Sequence, residues 1–129
     1  MRSFISTKVH SVLDYASAVL IIASPWLFGF EPVGGAALFL PIVLGAIQFI
    51  MVIFTRHELG LFKVIPIQLH LIIDMFMGFI LIVSPFLYGF YHNVFLPHVI
   101  FGLLLFGAGI FTSPSPFLDK LDVLDARGL

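Results

Sequence analysis

The chain has no cysteine, so disulfides, thiolate metal sites and cysteine nucleophiles are all excluded. Charge is nearly as scarce: Lys, Arg, Asp and Glu make up 10% of the 129 residues against 60% hydrophobic, a balance far outside that of a soluble globular domain. No basic cluster marks a nucleic-acid surface. No nucleophile motif, cofactor fingerprint or Gly-rich phosphate loop appears, which argues against an enzyme. The apolar runs lack the alternation of barrel strands. The first run is too long for a signal-peptide core, is interrupted by His10 and Asp14, and precedes no small-x-small cleavage site, so it is expected to stay as a permanent helix.

What remains is long apolar segments, at about 9–30, 35–54, 67–90 and 94–111, each near the ~20 residues a helix needs to cross a bilayer. All six basic residues fall on one side of these runs: Arg2 and Lys8 before the first, Arg56 and Lys63 between the second and third, Lys120 and Arg127 after the fourth. By the positive-inside rule both termini are expected in the cytoplasm.

The chain repeats itself. At an offset of 60, His10 pairs with His70, Asp14 with Asp74, Ser24-Pro25 with Ser84-Pro85, Trp26 with Phe86, and Gly29-Phe30 with Gly89-Phe90. Phe39-Leu40-Pro41 returns as Phe95-Leu96-Pro97 at an offset of 56. Each unit is one helical hairpin, so the two copies should share an orientation about an axis along the membrane normal. The expected fold is all-α, a four-helix transmembrane bundle of two tandem hairpins. It divides into repeat one at about 7–55, a cytoplasmic linker at about 56–66, repeat two at about 67–112 and a cytoplasmic amphipathic tail at about 113–129.

The Ser-Pro pairs read as structural corners. Pro25 removes the N–H that would bond the Ile21 carbonyl, and Pro85 does the same to Leu81. In lipid a freed carbonyl needs another donor. The hydroxyls of Ser24 and Ser84 are at hand, and a Ser-Pro pair also suits the start of a fresh turn, with a bend expected there. Trp26 suits an interface, and Gly29 and Gly89 permit a tight exit.

The segments VHSVLDYASAVLIIASPWLFGF, TRHELGLFKVIP and LHLIIDMFMGFILIVSPFLYGF resemble the SPW repeat family of small bacterial membrane proteins. The resemblance implies a multi-pass protein of the plasma membrane with two helices per repeat and no established activity. Phe86 stands where the motif's tryptophan is expected.

His10, Asp14, His70 and Asp74 are the candidate chemical site. A spacing of four puts each His and Asp on one helical face, and ionisable groups inside a span call for a role. Three readings are open: an interhelical polar lock, a divalent transition-metal site, and a proton or ion relay. The lock is favoured, so no cofactor is expected, with the metal as the alternative, and haem has no further support. Gln48 reads as a packing hydrogen bond, and His98 as interfacial. Gly102, Gly107, Ala108 and Gly109 would admit another helix. Arg56 and His57 read as solvated linker residues. The function expected is a scaffold or accessory protein that self-associates or supports a membrane-protein partner. Its surroundings are lipid, without nucleic acid.

Overall fold

The computed structural model describes residues 5–55 and 59–112, and is all-α. Four helices follow in order: α1 (Thr7–Leu27), α2 (Gly35–Phe54), α3 (Ile67–Leu87) and α4 (Leu96–Phe111), with a 3-10 turn at Glu31–Val33 between the first two. Helix α1 packs along α2 and α3 along α4, with smaller contacts between α2 and α3 and between α1 and α4. The expected tail, together with Arg56 and His57, lies outside the described residues.

Sequence chemistry sets the ends. Ser6 caps α1 by accepting from the Val9 amide at 3.2 Å. Both Ser-Pro helices stop just after the aromatic, where Gly29 (φ 71°) and Gly89 (φ 72°) adopt left-handed backbone and the preceding residue still donates back to Ser24 or Ser84. No fresh turn begins at Ser-Pro: the helices run through Pro25 and Pro85. Helix α4 starts at Leu96, later than the apolar run suggests, because Pro97 occupies the first turn and Asn93 to Phe95 remain in the hairpin turn. Its 16 residues reach about 24 Å. Helices α1, α2 and α3 are each long and apolar enough to cross a membrane.

The bundle is apolar outside and partly polar within. Val12, Val19, Phe39, Ile50, Phe76 and Leu103 are more than half exposed, an apolar surface suited to contact with lipid. Inside, Ile21, Leu44, Met51, Met77, Leu81, Phe101 and Leu105 form the core. Beside it lie His10, Asp14, Gln48, Thr55, His70, Asp74, His98 and Thr112, each at most 1% exposed.

Within each hairpin, glycine sets the spacing. A Cβ on Gly45 would lie 2.6 Å from Ile22 Cγ1, and one on Gly102 would lie 2.6 Å from the Gly78 carbonyl oxygen. A Cβ on Gly109 would meet the Leu71 carbonyl at 2.7 Å. Gly102 and Gly109, read from the sequence as room for an outside helix, are thus occupied by α3 of the same chain. Gly107 faces open space. Gly102→Val should therefore destabilise the detergent-solubilised protein by about 1–3 kcal/mol through overpacking, whereas Gly107→Ala should leave its thermal unfolding midpoint almost unchanged.

Candidate functional site

Hydrocarbon offers no hydrogen bonds, so a carbonyl freed by proline must find a donor inside the protein. Among the described residues three helix-interior prolines, Pro25, Pro41 and Pro85, free three carbonyls, and each is met. Ser24 Oγ donates to the Ile21 carbonyl at 2.7 Å and Ser84 Oγ to Leu81 at 2.9 Å, the partners named from the sequence. Pro41 leaves the Ala37 carbonyl bare, and His98 Nε2 donates to it at 2.9 Å. Phe30 and Phe90 stand at either hairpin turn, with ring centroids 5.1 and 4.8 Å from the His98 imidazole. His98 is therefore a buried link between hairpins, which corrects its reading as interfacial. The clue was Pro41, four residues after a carbonyl that no side-chain pattern displays. Trp26 and Phe86 lie at the same corners with about 60% and 58% of their surface open, facing away from the core.

At the opposite end of the bundle the helices bring His10, Asp14, His70 and Asp74 into one centre. His10 and His70 are each the fourth residue of their helix, and Asp14 and Asp74 the eighth. Both aspartates therefore sit about 10 Å along the axis from the helix start. His10 Nε2 lies 2.9 Å from Oδ2 of Asp14 and 2.9 Å from Oδ2 of Asp74. His70 Nε2 lies 2.5 Å from Asp14 Oδ2 and 3.2 Å from Asp74 Oδ2. Two nitrogens and two oxygens thus alternate around a small closed ring, and the imidazoles meet edge to face at 5.4 Å.

The other ring nitrogens decide where the protons are. His10 Nδ1 is 2.6 Å from Thr112 Oγ1, and His70 Nδ1 is 2.6 Å from Thr55 Oγ1. Each threonine hydroxyl lies 2.5 Å from the carbonyl four residues back, Ala108 or Met51. A carbonyl can only accept, so the single hydroxyl proton points there, and Nδ1–H of each histidine must donate to the threonine oxygen. On a neutral ring Nε2 is then a lone pair, facing carboxylate oxygens at hydrogen-bond distance. Each Nε2 therefore needs a proton, or a share in another positive charge, between it and the carboxylates it faces. Two protons over the four side chains make the centre electrically neutral, which burial demands, since one bare charge in a span costs roughly 2.5–3.5 kcal/mol or more.

Thr55 and Thr112 were not foreseen, although Ile53-Phe54-Thr55 recurs as Ile110-Phe111-Thr112. The surroundings differ between halves. Gln48 Nε2 donates to Asp14 Oδ1 (3.3 Å) and to Ser17 Oγ (2.9 Å), so the packing role read for it is here a direct contact to the centre. The position matching Gln48 in α4, counted from the paired glycines and threonines, is Leu105. Asp74 Oδ1 accordingly has no hydrogen-bond partner. Backbone pairing completes the arrangement: Ile5 N donates to Phe111 O at 3.0 Å and Ile65 N to Phe54 O at 2.8 Å, so the segment before each histidine helix docks on the last turn that carries its threonine.

The SPW repeat domain matches residues 8–112, nearly all of the described chain. The protein belongs to the SPW repeat family. No curated protein and no solved structure matches it. In this SPW repeat protein the Ser-Pro-aromatic motif and the His-Asp pairs occupy opposite ends of α1 and α3, so the motif that marks the family is not part of the polar centre.

The proton placement is measurable. Nitrogen-15 NMR of histidine-labelled protein should show His10 and His70 protonated at Nδ1 and His98 protonated at Nε2. His98→Leu, which strands the Ala37 carbonyl, should cost about 1–3 kcal/mol of stability.

Proposed function

We propose that this small membrane protein is a non-enzymatic, four-span scaffold or accessory module whose His-Asp centre locks two hairpins into one body. One observation carries the reading: the hydrogen bonds His10–Asp74, His70–Asp14, His10–Thr112 and His70–Thr55 all run from one hairpin to the other. Within a hairpin, close apolar packing around glycine suffices. Between hairpins, polar groups that hydrocarbon would leave unsatisfied can only be satisfied across the interface, so separation is penalised.

In this reading α4 is the short fourth span, accommodated by local thinning of the bilayer or by its interfacial ends. The two hairpins are related by an approximate twofold axis along the membrane normal, both termini are cytoplasmic and the protein lies in the plasma membrane. The one-sided Lys and Arg residues support that orientation. Because the chain has no cysteine, single cysteines introduced at Glu31 and Tyr91 would report on it without background. Both should react with an impermeant reagent from outside the cell, and labelling of either only after permeabilisation would reverse the orientation.

The lock has its own test. A protease site inserted in the linker allows the hairpins to be cut apart after folding in detergent. The halves should co-elute when the centre is intact and separate in a His10→Ala/His70→Ala variant. Unchanged co-elution of that variant would sink the reading.

A further inference from the structure

The ring of four ligand atoms has the composition, charge and support of a metal site. We infer that the His10, Asp14, His70 and Asp74 side chains bind one divalent transition-metal ion, zinc being the best fit, in a closed site between the hairpins. This deepens the lock reading and rests on it.

The donor set comes first. Two imidazole nitrogens and two carboxylate oxygens, one atom from each residue and all within 4.8 Å of one another, are ligands suited to zinc and its neighbours. Bond lengths of about 2.0–2.2 Å put adjacent ligand atoms roughly 2.9 Å apart in a square and roughly 3.4 Å apart in a tetrahedron. The four nitrogen–oxygen separations around the ring are 2.9, 2.9, 2.5 and 3.2 Å. Lengthening the shortest edges reaches a square, and a tetrahedron requires in addition that the widest separation, up to 4.8 Å, close toward the same value.

Orientation is the second observation, and it is independent of the ring. Both histidines have their Nδ1–H bonds anchored on threonine hydroxyls that are themselves fixed by helix carbonyls. Each Nε2 lone pair is thereby aimed at the common point, the outer-shell support that metal-bound histidines require. Gln48 supports Asp14 in the same way. Asp74 Oδ1, wholly buried and without a hydrogen-bond partner, is a carboxylate oxygen that positive charge at the ring would compensate.

Charge selects the valence. Two neutral imidazoles and two carboxylates carry −2, so one divalent ion makes the centre neutral, as two protons do. A monovalent or trivalent ion would leave net charge in a dry site. A crevice of about 60 Å³ between α1 and α4, lined by Leu13, Ser17, Leu104, Leu105 and Ala108, borders Asp14. With four protein ligands the site is closed, and its role is to fasten the hairpins rather than to activate water.

The test uses the full chain in detergent, stripped with a chelator and reloaded with Zn²⁺ or Co²⁺ alone. Wild type should retain one Zn²⁺ per chain through desalting, and Co²⁺ should give the strong visible bands of a four-coordinate site. Asp74→Asn should lose both signals. Thr112→Val leaves every ligand in place and removes only the support of His10, so it should weaken Zn²⁺ binding about 10–100-fold. Wild-type protein that retains no more Zn²⁺ than the Asp14→Asn/Asp74→Asn variant overturns the inference, as does undiminished binding by Asp74→Asn. The cleaved-hairpin experiment on metal-stripped protein separates the two ideas: halves that co-elute without metal, from a chain that takes up none, leave the lock standing while the metal site falls.

Discussion

A hydrogen-bonding group inside hydrocarbon has no solvent to fall back on, and this protein is organised by that constraint. Three prolines each cost a helix one backbone bond, and three side chains return it: two serines from the same turn and one histidine from the other hairpin. The same constraint governs the opposite end of the bundle. There four ionisable side chains are buried together, bonded to one another, to two threonines and to a glutamine. Neither end can be opened without stranding polar groups.

Apolar packing and hydrogen bonding divide the labour differently from a soluble bundle. In water, burial of leucine and phenylalanine drives helices together, but here lipid is as good a solvent for those side chains as the core is. Close approach through Gly45, Gly78, Gly102 and Gly109 gives dense contact within each hairpin. Between hairpins, hydrogen bonds from His10, His70 and His98 cross the interface.

Much of this was visible in the residues themselves. The repeat displays the His-Asp pairs, the Ser-Pro corners and the exit glycines in register, and a local rule suffices to name Ile21 and Leu81 as the carbonyls the serines would meet. What escaped notice involved partners distant in sequence. Thr55 and Thr112 end helices, and nothing local distinguishes them from ordinary terminal threonines until His10 and His70 are seen beside them. The acceptor of His98 is a backbone oxygen, invisible to any pattern of side chains. Gly102 and Gly109 proclaim a close neighbour without saying that it belongs to the same chain. Helix α4 proved shorter than its apolar run because hydrophobicity continues into a turn that Pro97 closes.

The docking of Ile5 on the end of α4 repeats that of Ile65 on the end of α2, so the chain is closed upon itself and neither hairpin is structurally the first. Half of it, a single hairpin ending in Ile-Phe-Thr, carries one histidine, one aspartate and one threonine. Two such halves would rebuild the whole centre as a homodimer. Carried in one polypeptide, the two sides of the centre need not share one sequence, and they differ where Gln48 donates to Asp14 while the matching Leu105 leaves Asp74 Oδ1 without a hydrogen-bond partner.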